Sequence, residues 1–326
     1  MISRIIIALA MILLIGQTTA ATTEPITLKL TSKAHSFISK LPLSQEDLSW
    51  LADKRTMTIA VYGEENPPFA MNSINGCYRG INADYLQLLK DALHVNLVLH
   101  YYDDESQALG ALKNAEVDLV LTSDNTSVPV TTPFIISQLL FQTYPALVTR
   151  NSNGIMPFYQ LDKTVNVAVS QHHPSENFIK SIFRHANIVS YDSNYQALAS
   201  VANRENEYFI GDNIASNFLI ARDFYQNLDV VKYWRSPLTG SYFIAREDQS
   251  RLVAIINKFI SALDASTHTR ISHTWVDDGN LTFLTKPLSL TPKEKRWIEK
   301  NPVLRTLVNP YYAPFTVLDE NREIRG

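Results

Sequence analysis

From residue 57 to residue 263 the chain alternates between short apolar runs and stretches with helical periodicity, and this alternation limits its fold more than any other feature. The runs MTIAV (57–61), NLVLHYY (96–102), VDLVL (117–121), YPALVT (144–149), VNVAV (165–169), NIVSY (187–191), YFI (208–210), VVKYW (230–234) and YFIA (242–245) suit short, largely buried strands. Between them, Ile81, Tyr85, Leu88, Leu89 and Ala92 fall on one helix face. Leu252, Ile255, Ile256, Phe259, Ile260 and Leu263 fall on another. Strands that take turns with helices build α/β units with mostly parallel sheets. Two sheets of about five strands each are expected, because hydrophobic cores divide as they grow.

An internal repeat bounds this region. LSQEDLSWLADKRTMTIAV, from Leu43 to Val61, lines up with LTPKEKRWIEKNPVLRTLV, from Leu290 to Val308, at a constant offset of 247. PPFAMNSINGCYRG, ending at Gly80, then pairs with APFTVLDENREIRG, ending at Gly326, at offset 246. Each copy reads as a short helix, a strand, a Pro-Phe loop and a polar, hairpin-like stretch. Thr291, Pro292 and Glu294 supply a capping hydroxyl, a first-turn proline and a reciprocal acid to the later helix, and Ser44 and Asp47 fill the equivalent cap positions in the earlier one. Trp50 and Trp297 match on the same helix. Residues 291–326 are expected to be the start of a second domain, cut short early, with 277–290 (DDGNLTFLTKPLSL) as a semi-rigid connector punctuated by Gly279, Asn280 and Pro287.

The N-terminus, MISRIIIALAMILLIGQTTAATTEP, has Arg4, an apolar run from Ile5 to Ile15, and small residues before Ala21. That order predicts a secretory signal peptide over 1–20 and an exported mature chain, since the run is too short to span a bilayer. A single cysteine, Cys77, excludes an intramolecular disulfide and is expected to be a small, half-buried residue. A formal charge of -3 with no basic stripe excludes nucleic acid as a partner. No GxSxG, HExxH or phosphate-loop motif is present, so no catalytic residue and no cofactor is expected. His172 and His173 are adjacent and His268 and His273 are five apart, which is not the i, i+4 spacing of a helical zinc site, and no metal is expected.

The stretch NPPFAMNSINGCYRGINADYLQLLKDAL, followed by EVDLVLTS, TTPFIIS and YPALVT, resembles the first lobe of the type II periplasmic solute-binding fold, the bilobed Venus flytrap of solute-binding protein family 3. VNVAVSQHHPSENFIKSIF, YQALASVANRENEYFIGDNIASNFLI and VVKYW resemble its second lobe, and SYFIAREDQSRLVAIINKFISAL with ISHTWVD its return. The resemblance implies one flytrap over 56–276, with lobe 1 at about 56–147 and 242–276 and lobe 2 at about 148–241, after an N-terminal segment and lead helix at 21–55. RGINADYLQLLK, YQALASV, YFIG, VVKYW and GNLTFLTKPLSLTPKEKRWIEKNP are similar to the periplasmic region of hybrid sensor histidine kinases of the EvgS and BvgS type. That family carries two flytraps in tandem, a membrane helix, a kinase and phosphorelay modules. The resemblance therefore implies a periplasmic sensory domain that signals by lobe opening and closing, from an inner-membrane, homodimeric parent that addresses a response regulator. The kinase chemistry would belong to that parent and not to this chain.

The same resemblance implies where a ligand would sit. Phe69 matches the aromatic wall after the first strand, and a packed loop residue is the other reading of it. Ser123 and Thr126 match the Ser-x-x-Thr strand end, but the arginine that clamps a ligand carboxylate falls on or near Pro129 and is missing. Ser170, His172, His173 and Ser175 stand where amino-acid-binding members place a Gly-Ser/Thr pair at a helix N-terminus. Asp212 matches the acid that accepts a ligand ammonium, and a helix cap is its alternative role. Without the clamp, tight binding of a free amino acid is not expected. The stimulus is read as a small molecule or a proton titrating histidines such as His172 and His173. A free-standing binding protein of an uptake transporter is the alternative; it should end near residue 280 and keep the arginine. A periplasmic enzyme on the same fold is a third reading.

Overall fold

The computed structural model describes residues 25–34, 41–71, 76–122, 133–151, 164–170, 176–224, 227–234, 240–275, 292–301, 309, 311–312, 316–318 and 324–325. The predicted signal peptide and the connector 277–290 lie outside these residues. The chain divides into two units, 1–285 and 286–326.

In the first unit the elements run β1 (Ile26–Leu30), α1 (Gln45–Lys54), β2 (Thr56–Tyr62), β3 (Cys77–Tyr78), α2 (Ile81–Leu93), β4 (Asn96–Tyr102), α3 (Glu105–Lys113), β5 (Leu119–Thr122) and β6 (Phe134–Ile136). They continue with β7 (Pro145–Arg150), β8 (Val165–Ser170), α4 (Glu176–Ile182), β9 (Ala186–Tyr191), α5 (Asn194–Ala202), β10 (Tyr208–Asp212), α6 (Asn213–Leu219) and β11 (Leu228–Tyr233), and close with β12 (Tyr242–Arg246), α7 (Ser250–Ala262) and α8 (Ala265–Trp275). The second unit holds α9 (Pro292–Lys300) and a three-stranded sheet of β13 (Tyr311–Tyr312), β14 (Thr316–Leu318) and β15 (Ile324–Arg325).

Two sheets form, as expected, of seven and five strands. The first has the order β3-β1-β4-β2-β5-β12-β6 and the second β11-β7-β10-β8-β9. The centre of each is parallel: β2 pairs in parallel with β4 and β5, and β8 with β9 and β10. Antiparallel strands flank them, because the chain crosses between lobes through β7 and β12, so both sheets are mixed. The second sheet takes its first strand at Pro145, slightly before the lobe boundary near 147 expected from the sequence. Strand β1 adds to the first sheet between β4 and β3, an element absent from the sequence reading, which gave 21–55 only a segment and a helix.

The helix faces read from periodicity are the buried ones. Ile81, Tyr85 and Leu89 of α2 and Leu252, Ile255, Ile256 and Phe259 of α7 are shielded from solvent and meet in one core with Ile59 and Leu99 of the sheet. Helix α1 begins as its cap residues predict: the Asp47 amide donates to Ser44 Oγ and the Ser44 amide donates to Asp47 Oδ2, both at 3.1 Å. Cys77 is half-buried. Among the described residues no helix is long and apolar enough to cross a membrane.

The two chain crossings between lobes lie side by side. Gly240 approaches the Phe141 carbonyl so closely that a Cβ would collide with it, and the Leu140 amide donates to the Ser241 carbonyl at 2.7 Å. Among the described residues these contacts join the two crossings where the chain passes between the sheets.

Candidate functional site

Between the lobes lies a cleft of about 570 Å³. Its walls are the loops at the carboxyl ends of parallel strands, where α/β sheets collect ligands. Gly63 to Pro67 follow β2, Asp103 and Asp104 follow β4, Ser170 ends β8, and Asp192 to Asn194 follow β9. Two of these loops run straight into helices through ordinary caps: Asp104 accepts the Gln107 amide at 2.9 Å to start α3, and Ser193 accepts the Gln196 amide at 3.2 Å to start α5.

The lobe 1 side of the cleft is built on the first turn of α2. Gly80 sits at φ +123°, and a Cβ there would collide with the carbonyls of Pro68 and Phe69, so the Pro-Phe loop can fold tightly against the helix only with glycine. The loop returns hydrogen bonds: Ile81 donates to the Pro68 carbonyl at 2.9 Å and Asn82 to the Phe69 carbonyl at 3.1 Å. Asn82 also lines the cleft, and its side-chain oxygen accepts the Ser241 hydroxyl at 2.9 Å, which ties the helix to the second chain crossing. Tyr78 lies beside it, and burial pushes its phenol up to about 12, so it stays neutral at any physiological pH.

The lobes are tied across the cleft. Asn194 donates to Asn66 Oδ1 at 3.4 Å, and Ser170 donates to Asn194 Oδ1 at 2.7 Å in a buried contact. Around this tie the charge is one-sided: Glu64, Glu65, Asp103, Asp104, Glu105 and Asp192 line the cleft, against Arg222 as the lone cation among the described lining residues. Arg222 is itself engaged by Asp223 at 2.6 Å. The Tyr101 phenol registers the field at the rim: burial raises its pKa, and the charges of Asp103 and Glu64 raise it further.

The sequence-derived site residues separate into three groups. Ser170 lines the cleft. Phe69 is buried in the core, stacked on Phe141 at 5.6 Å with the rings nearly parallel, which is the packed-loop reading of this residue. Asp212 accepts the Ala215 amide at 2.7 Å and caps α6, which is its helix-cap reading; neither it nor Phe69 is among the described residues lining the cleft. Ser123, Thr126, His172, His173 and Ser175, together with Pro129 at the clamp position, lie outside the described residues. His268 is buried in α8 and bonded to the Tyr85 hydroxyl at 2.6 Å. Among the described residues no group of three metal-ligating side chains forms.

Asn66, Asn194, Tyr195 and the acidic loops were missed by sequence reasoning. The local signals existed, in the polar loop after each parallel strand, but their convergence depends on sheet order.

The comparisons agree with this architecture. The sensor protein EvgS of Escherichia coli (strain K12) is 40% identical over 289 residues, 89% of this chain and 24% of that protein. The virulence sensor protein BvgS of Bordetella bronchiseptica is 26% identical over 304 residues, again 24% of its length, so the chain spans about a quarter of the curated relatives it matches. Among solved structures, the periplasmic domain of BvgS from B. pertussis superposes with a TM-score of 0.72 at 25% identity, covering 92% of this chain and 58% of that one. The L-cystine solute receptor of Neisseria gonorrhoeae superposes with a TM-score of 0.58 at 19% identity, covering 74% of this chain and all of that one, and shares the type II periplasmic binding fold. The family model of the bacterial extracellular solute-binding proteins, family 3, matches residues 58–278, the two lobes with their cleft, and the chain belongs to that family.

Proposed function

We propose that this chain is the periplasmic sensory region of a transmembrane sensor histidine kinase, in which lobe opening and closing is the signal. The observation that carries this is the extent of the similarity to EvgS. It runs over 289 residues, whereas the solute-binding match ends at residue 278 and begins at residue 58. Similarity that exceeds the flytrap on this scale includes flanking segments that a free-standing transporter component does not need. In this reading the domain is 56–276, residues 277–290 connect it to a second flytrap beginning at 291, and the parent is a homodimer that addresses a response regulator.

The cleft favours a small cationic solute. Six carboxylates and one internally paired guanidinium repel an anion at the mouth and concentrate a cation there. Amines and guanidines fit the set of acceptors, which also includes the Asn66 and Asn82 side-chain oxygens.

The test is a transplant. Residues 25–326 replace the matching segment of E. coli EvgS, and autophosphorylation is measured in membrane vesicles. A chimera whose kinase activity changes when the cleft is altered supports the reading; a chimera with full, constant activity regardless of the cleft overturns it.

A further inference from the structure

Asp84, in the first turn of α2, has no exposure to solvent, and the cleft does not explain it. Its Oδ1 accepts the Ser32 hydroxyl at 2.7 Å, the Lys33 amide at 2.7 Å and the Ala34 amide at 3.1 Å. Its Oδ2 accepts the indole N–H of Trp275 at 2.6 Å. The Lys33 ammonium lies 4.2 Å above the Trp275 ring, and Ser32 Oγ accepts the Ala34 amide at 2.9 Å. A buried carboxylate is tolerated only where donors surround it. Here the donors come from the two ends of the domain: the segment after β1 on entry, and the last residue of α8 on exit.

The same helical turn reaches the cleft. Two residues before Asp84, Asn82 lines the cleft and accepts the Ser241 hydroxyl at the chain crossing. One turn of α-helix is stiff, so any displacement of Gly80 or Asn82 would carry Asp84 with it. The bonds to Asp84 span 2.6 to 3.1 Å, and bonds of this kind weaken steeply once stretched or misaligned.

We propose that Asp84 is the positioning residue of a clasp that passes the state of the cleft to the entry segment and to Trp275, the last described residue before the chain runs on towards the second unit. The proposal rests on the opening and closing of the lobes argued above. Asn82 senses the hinge, Asp84 carries the movement across the turn, and Ser32 to Ala34 and Trp275 are held or released together. The element with two arrangements is this set of converging hydrogen bonds, biased by the lobes at one side and felt by both chain ends at the other.

The experiment uses Trp50→Phe, Trp234→Phe and Trp297→Phe together, which leaves Trp275 as the sole indole of the chain. Asn194→Ala is then introduced to release the lobes, and small-angle scattering reports whether they part. Expected are a larger radius of gyration, a shifted Trp275 emission maximum, and amide exchange at residues 26–34 faster by several-fold. Adding Asp84→Asn, or the milder Ser32→Ala, is expected to abolish or at least halve the emission response while the change in radius persists. If the radius grows and Trp275 emission and exchange stay constant, the clasp is refuted and the moving lobes stand. If the radius does not change, both the lobe motion and the clasp fall.

Discussion

The side-chain amide of Asn194 on one lobe lies 3.4 Å from the side-chain oxygen of Asn66 on the other, and its own oxygen holds the buried hydroxyl of Ser170 at 2.7 Å. The lobes are thus joined across the cleft by the protein's own groups. Asn194→Ala removes the bridge and leaves the Ser170 hydroxyl without this acceptor. A loss of about 1–3 kcal/mol is expected, read as a lower thermal midpoint, together with a wider lobe separation in solution scattering.

The entry helix makes stability depend on acid. The Lys258 ammonium 2.6 Å from Asp47, aided by the Ser44 amide and hydroxyl, holds this carboxyl at about 2, below its ordinary 3.8. A depressed folded-state value means that the contribution is complete above about pH 4 and is lost as pH falls towards 2. Urea midpoints measured at pH 6, 4 and 2.5 should fall more steeply for the native chain than for Asp47→Asn, and the two curves should converge at the acid end.

Gly80 is the tightest backbone position beside the cleft. Gly80→Ala places a methyl group against the Pro68 and Phe69 carbonyls at a φ of +123°. The strain should cost about 1–3 kcal/mol in chemical denaturation. Faster amide exchange should be confined first to the Pro-Phe loop and the first turn of α2.

The acidic cleft predicts a sign for binding. Calorimetric titration with a diamine or arginine should show affinity that weakens as salt rises, and a dicarboxylate of similar size should show none. Glu64→Gln combined with Asp192→Asn should weaken the cation by roughly tenfold, about 1.4 kcal/mol.

Most of the scaffold was legible in the sequence because it is written in burial. Runs such as MTIAV and VNVAV lie at β2 and β8 because a strand inside a covered parallel sheet needs apolar residues on both faces. Strand β1 escaped: ITLKL is short, and its partner β4 is some seventy residues away in the chain. The site was less legible. Asn66 and Asn194 meet across 128 residues, and no local pattern marks either as half of a bridge. Resemblance left two readings each for Phe69 and Asp212; Phe69 is packed on Phe141 and Asp212 caps α6, contacts that depend on loop backbone geometry no sequence pattern marks.

If the state of this cleft sets kinase output, it will show in autophosphorylation of the EvgS chimera carrying this chain with and without Asn194→Ala. Releasing the lobes should change the phosphorylation rate at least several-fold, in the same direction as Ser170→Ala. Equal rates in all three chimeras, with lobe separation shown by scattering, would contradict it.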